Sequence, residues 1–176
     1  VKIQILEARY DRIQFNNQTR TANHLIEGIL APLQSGDIID SATLQQQLKL
    51  LSRLNGIKIR NVISAGRYPG TSDLTIHIQP EKTLNGYVGL DNYGNEYTHE
   101  LRLNAGVAAN NLLGLGDRLS FDGMTSGNLN FARLGYEATV NAAGTRLGAS
   151  YSDLDYELGK EYKALDAVGN AQQASI

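Results

Sequence analysis

Apolar residues Ala22, Leu25, Ile26, Ile29, Leu30 and Leu33 recur at steps of three and four, the one-sided stripe of an amphipathic helix. Thr21 is placed to cap this helix, and Pro32 and Gly36 to end it around residues 31–34. Leu44, Leu48, Leu51 and Leu54 predict a second helix, begun at Asp40 or Ser41 and closed by the left-handed terminator Asn55-Gly56. Runs rich in β-formers flank the pair at 1–6, 10–15, 57–63 and 74–78, with Pro69-Gly70 turning between the last two. From residue 10 the order reads β-α-α-β-β, two helices on one side of a three-stranded sheet. The run 1–6 is left over and fits the last strand of a preceding module.

The period then changes. His99, Leu101, Leu103, Ala105, Val107 and Ala109 alternate with Glu100, Arg102, Asn104, Gly106, Ala108 and Asn110, an apolar face against a polar or small one. The alternation returns at 132–140 and 146–152, and turn clusters at 92–96, 114–117, 125–128 and 141–144 divide the stretch into five strands, with a sixth expected after Gly169. A boundary near Glu81 separates the two patterns: glycine rises from 5 before it to 13 after, and proline falls from 3 to none. Charge divides as well, from 9 basic and 7 acidic residues before the boundary to 7 and 11 after it.

Composition narrows the chemistry. With 41% hydrophobic and 19% charged residues the chain is neither a disordered polyelectrolyte nor a fibrous repeat. A formal net charge of −2 supplies no basic field for nucleic acid, and the lack of cysteine excludes disulfides and thiolate chemistry. No run of about 20 apolar residues is present to span a membrane as a helix. The mean hydropathy of −0.29 suits a soluble protein, but a membrane β-barrel, apolar at one position in two, scores the same.

After residue 81 nothing encodes a second layer to cover the apolar side of the strands, neither an amphipathic helix nor a second strand set. That side is therefore expected to meet hydrocarbon, since an exposed apolar sheet is an aggregation site. Strands of about 10 to 14 residues suffice against the roughly 9 to 11 that a tilted membrane strand needs. Five or six strands do not close a barrel, for which about eight is the minimum, so the chain is read as a piece of a longer protein. On periodicity alone a soluble β-sandwich stays open.

With these residues in view the sequence resembles the outer-membrane transporters of two-partner secretion, the TpsB or haemolysin/filamentous-haemagglutinin transporter group of the BamA-like superfamily. Leu54, Gly56, Pro69, Gly70, Ser72 and Leu74 look like the signature of that group's second POTRA (polypeptide-transport-associated) domain, and 86–94 with 110–117 look like its first two barrel strands and their turn. The resemblance implies an α+β POTRA domain (β-α-α-β-β) at 8–81, the end of a preceding one at 1–7, and at 82–176 the N-terminal antiparallel strands of a transmembrane β-barrel. It implies a bacterial outer-membrane protein with its POTRA domain in the periplasm, secreting a large exoprotein with a two-partner secretion domain, in contact with outer-membrane lipid. Neither cofactor, small-molecule substrate nor nucleic acid is expected.

The client-binding residues implied are Ile57, Lys58, Ile59, Arg60, Val62 and Ile63 on an edge strand, whose free backbone groups pair with an extended client, and Leu25 and Ile29 in the adjacent groove. Lys58 and Arg60 read alternatively as charges that guard the edge. Lumen-facing candidates are Glu100, Arg102, Asn104, Arg133, Glu137 and Arg146. His24, His77 and His99 sit on different elements without a carboxylate at ligand spacing, and no catalytic trio is present, so neither metal site nor enzyme is expected. The alternative to a secretion pore is a soluble periplasmic POTRA-type binding or assembly module.

Overall fold

The structure, a computed structural model, describes residues 7–159 and 167–176. The run 1–6, expected as the end of a preceding module, lies outside them. Eleven elements follow in order: β1 (Arg9–Asn17), α1 (Asn23–Leu30), α2 (Ser41–Ser52), β2 (Ile57–Ala65), β3 (Thr71–Pro80), β4 (Leu84–Asp91), β5 (Arg102–Asn110), β6 (Arg118–Thr125), β7 (Leu129–Thr139), β8 (Arg146–Glu157) and β9 (Val168–Ser175). The chain divides into two compact units.

Unit 1 holds the residues up to Lys82 and, beyond the boundary at residue 81 expected from composition, the segments Asn111–Asp117 and Thr139–Arg146. Its sheet has the order β1-β3-β2, with β1 parallel and β2 antiparallel to the central β3. Alternation along β3 turns Leu74, Ile76 and Ile78 into the core, where they are fully buried against Leu25, Ile26, Ile29 and Leu30 of α1 and Leu44 and Leu51 of α2. Asp40 caps α2 by accepting the N–H groups of Ala42 (3.3 Å) and Thr43 (2.9 Å), and the Thr43 hydroxyl it also accepts (2.6 Å), together with these amides, holds its carboxyl below the usual carboxylate range. Gly56, at φ 75°, reverses the chain after α2 at little steric cost.

One local expectation fails. Thr21 does not cap α1: Ala22 is the N-cap residue, with no side-chain cap, and the Thr21 hydroxyl is turned inward, 3% exposed. The reason is tertiary, as the turn described below supplies it with a partner.

Unit 2 is one antiparallel sheet in the order β4-β5-β6-β7-β8-β9. Each strand pairs with the next in sequence, as local connections favour, and the sixth strand opens at Val168. Its strands run 8 to 12 residues. The faces segregate by parity: Leu84, Val88, Leu90, Leu103, Val107, Phe121, Leu134 and Leu147 lie on one side, and all are exposed, up to 79% at Val88. Among the described residues no helix is long and apolar enough to cross a membrane, which says nothing of strands.

Candidate functional site

The edge of the small sheet comes first. β2 pairs with β3 in unbroken register from Ile57↔Pro80 to Ala65↔Ser72. Among the described residues its other side has no strand partner in the sheet order, so alternate residues offer N–H and C=O groups outside the ladder there. Ile57 is buried and Ile59 half-buried on the helix side, Lys58 and Arg60 are exposed on the other side, and Val62 and Ile63 are 40% and 48% exposed. Leu25 and Ile29, expected in a groove open to a client, are instead core residues, 4% and 1% exposed. The same spacing that marks a helix stripe aims both at β3, leaving no side-chain surface to share.

The opposite edge is built differently. β1 carries an irregularity between Tyr10 and Ile13 that breaks its pairing with β3. Asp11 and Arg12 fall at this break. Asp11 accepts Nε (3.0 Å) and Nη2 (2.7 Å) of Arg67 and the Arg67 N–H (2.8 Å), and these bonds pull its carboxyl down to about 2. Arg12 donates its backbone N–H (3.1 Å) and its guanidinium to Asp73. A bulge and two ion pairs thus blunt β1, whereas β2 is regular along its length.

In unit 2 the polar face gathers four of the six residues proposed to line a lumen. Arg102 Nε donates to Asp91 at 2.7 Å and Asn104 Nδ2 to its other oxygen, also at 2.7 Å. Arg133 stands opposite Asp122 and donates to Ser150 Oγ (3.2 Å), and Glu137 stands opposite Arg118. Tyr87 donates its hydroxyl to Asp122 at 3.0 Å, its ring lying over Gly106, where any Cβ would come within 2.4 Å of the ring. Arg118, Asp122, Arg133, Glu137 and Ser150 line a cavity of about 410 Å³ on this face.

Two candidates are elsewhere. Glu100 is not on a strand: the turn before it takes His99 to φ 77°, and the Glu100 carbonyl accepts the Gly94 N–H (2.7 Å), so β5 begins only at Arg102. Arg146 opens β8 but belongs to unit 1, where its guanidinium donates to the Arg53 carbonyl beyond the C-terminal end of α2. That carbonyl lies at the negative end of the helix and attracts a cation. Asp91, Arg118, Asp122 and Tyr87, absent from the expected set, were reachable by carrying the parity of β5 across to its neighbours.

The run 110–117 resembles a family motif, but nothing in its residues announces that the turn Asn111–Asp117 belongs to unit 1. Asp117, 0% exposed, accepts the N–H groups of Leu112 (3.1 Å), Leu113 (3.0 Å) and Leu115 (3.3 Å). Asn111 accepts the Gly116 N–H (3.2 Å) and donates Nδ2 to the buried Thr21 hydroxyl (2.9 Å). Organised in this way, the turn presents the Gly114 carbonyl to the Ala22 N–H (2.9 Å) and the Gly116 carbonyl to Asn55 Nδ2 (3.1 Å). It completes unit 1 at the start of α1 and the end of α2.

Comparison with known proteins settles the family. The model of the haemolysin secretion/activation protein ShlB/FhaC/HecB family matches residues 70–176, more than half of the chain. The chain belongs to this family. Its relatives include the heme/hemopexin transporter protein HuxB of Haemophilus influenzae (strain ATCC 51907 / DSM 11121 / KW20 / Rd), 32% identical over 97% of this chain and 31% of HuxB. Another is the outer membrane transporter CdiB of Dickeya dadantii (strain 3937), 26% identical over 89% of the chain and 27% of CdiB. The chain therefore spans about a third of the length of the relatives it matches.

Solved structures agree on the fold. CdiB from Acinetobacter baumannii superposes with a TM-score of 0.64 at 23% identity, covering 96% of this chain and 33% of that one. BamA from Haemophilus ducreyi lacking POTRA domains 1–3 gives 0.61 at 18% identity over 95% and 31%. The mostly antiparallel strands with few helices are similar in fold to the corresponding parts of BamA and CdiB.

Proposed function

We propose that this chain is the part of an outer-membrane two-partner secretion transporter in which a POTRA domain meets the first strands of the barrel. The β1-α1-α2-β2-β3 module captures a secreted exoprotein in the periplasm, and the polar face of the six-stranded sheet forms part of the wall of its conduit. Membership of a family whose relatives are named transporters supports this reading. The single observation that carries it is the segregation of the sheet: aliphatic side chains exposed on one face, paired arginines and carboxylates on the other. In water the first face is an aggregation surface; in a bilayer it is buried in hydrocarbon while the second stays hydrated.

Capture at β2 follows from its free, regular edge. Backbone pairing tolerates varied client sequences, and the bulged, ion-paired β1 leaves β2 the edge open to an added strand. Edge protection by Lys58 and Arg60 is the competing role for the same side chains.

The test of the membrane reading uses the absence of native cysteine. Single cysteines at Val88 or Leu103, on the apolar face, and at Ser120, on the polar face, carry a polarity-sensitive dye in the whole chain reconstituted into phospholipid vesicles. The proposal expects strong quenching by spin-labelled acyl chains at the first two positions and none at the third. A chain that stays monomeric and folded in plain buffer, with no difference between the faces, overturns the pore and leaves the soluble binding module.

A further inference from the structure

The cations of the small sheet fall into two groups. On β1, Arg9 pairs with Glu7 (3.9 Å) and Arg12 with Asp73. On β2, Lys58 and Arg60 are exposed, and among the described residues neither takes part in a salt bridge. Register explains why: across the ladder Lys58 meets Gln79 and Arg60 meets His77, so the inner neighbour supplies no carboxylate to either. On the same strand and the opposite face, Ile59 is half-buried and Ile63 is 48% exposed beside Leu74. Over residues 57–60 one side of the free edge thus carries the two cations and the other Ile57 and Ile59; beyond them Val62 follows Arg60 on the first side and Asn61 stands between Ile59 and Ile63 on the second.

We infer that the β2 edge selects an amphipathic acidic strand, with Asp or Glu at alternate positions beside Lys58 and Arg60 and aliphatic residues at the intervening ones beside Ile59 and Ile63. This inference rests on the capture role proposed above for β2 and names its substrate class. A strand added to β2 places its side chains alternately on the two faces, about 5 Å from those of β2, so each face of the newcomer meets one of these sides only. Opposite charges directly across a ladder stabilise pairing and like charges oppose it. The two free cations therefore guard the edge against neutral and basic strands, including β2 of a second copy, while admitting acidic ones. A general edge guard and a selective port are then the same residues seen by different partners.

The experiment uses the whole chain in detergent micelles and measures fluorescence anisotropy of labelled eight-residue peptides. An alternating Glu/Val peptide is compared with a blocked isomer of the same composition, with an alternating Lys/Val peptide, and with the alternating Glu/Val peptide N-methylated at every second residue. The first is expected to bind about 2- to 30-fold more tightly than the second and third, the range for two cross-strand charge pairs. N-methylation in the pairing phase abolishes binding. The double variant Lys58→Glu/Arg60→Glu reverses the preference in favour of the Lys/Val peptide. If all three unmethylated peptides bind alike and methylation still abolishes binding, the charge rule falls and edge capture stands. If none binds, both fall.

Discussion

The two units use similar aliphatic residues to opposite ends. In unit 1, Leu74, Ile76 and Ile78 alternate along β3 and vanish beneath two helices; in unit 2, Leu103, Ala105 and Val107 alternate along β5 and Leu103 and Val107 remain about half exposed. Local pattern is the same, two-residue period in both. What differs is whether the chain supplies a cover. Unit 1 does so with the stripes of α1 and α2, which bury its apolar side. Unit 2 offers none among the described residues, and its other face spends its polar groups on one another, as at Asp91 with Arg102 and Asn104. The sheet is in this sense inside out, and the pore reading proposed above assigns lipid as its solvent.

Truncation sharpens this contrast most. Ile76→Ala removes a fully buried side chain from unit 1 and is expected to cost about 2–5 kcal/mol in urea unfolding monitored by circular dichroism. Leu103→Ala, 46% exposed, leaves no enclosed cavity and should cost far less in the same detergent solution. Equal losses would mean that unit 2 has a hidden core. A charge tests the faces directly. Leu103→Arg is expected to oppose insertion into vesicles by about 2–4 kcal/mol if it falls near the bilayer centre, while the neighbouring Asn104→Arg, on the polar face beside Asp91, should insert nearly as well as the parent. Insertion is read from protease protection, and matching values at the two positions would remove the lipid-facing assignment.

Smaller effects address the buried turn and the ion pairs. Thr21→Val deprives Asn111 Nδ2 of its acceptor in a buried setting and should destabilise unit 1 by about 1–3 kcal/mol, although the residue is neither in a hydrophobic cluster nor the helix cap that its sequence position suggests. The acid limb gives the smallest change. Asp11 is held down to about 2 by Arg67, against about 3.9 in an unfolded chain. Because its folded value is the lower, the stabilisation it brings is complete above about pH 4 and is lost as pH falls towards 2. Asp11→Asn should lower stability at neutral pH and flatten the melting temperature of unit 1 across that window; an unchanged slope would show that the pair does not contribute.

Much of the molecule was legible because its determinants are local. The stripe Leu25, Ile26, Ile29 and Leu30, the Asp40 cap, the Gly56 terminator and the alternation from Leu103 onward each declare an element through spacing that short stretches of chain carry by themselves. The edge position of β2 followed from family likeness rather than from spacing. Where local rules misled, a distant partner had intervened. Thr21 has the chemistry of a cap, but Asn111, 90 residues away, takes its hydroxyl. Arg146 has the parity of a lumen residue, but the carbonyl of Arg53 claims its guanidinium. Glu100 continues an alternation that His99 has already broken by leaving β geometry.

Sequence by itself determined which residues form helices and strands, which face of each is apolar, and to which family the pattern belongs, since these depend on periodicity and on short runs such as 110–117. Only the tertiary structure decided that this run folds around a buried Asp117 as part of unit 1, that Leu25 and Ile29 are sealed away, and that β2 keeps a regular free edge while β1 does not. The physical reason is that burial, pairing and the satisfaction of N–H and C=O groups are properties of neighbours in space, and neighbours separated by tens of residues leave no periodic trace along the chain.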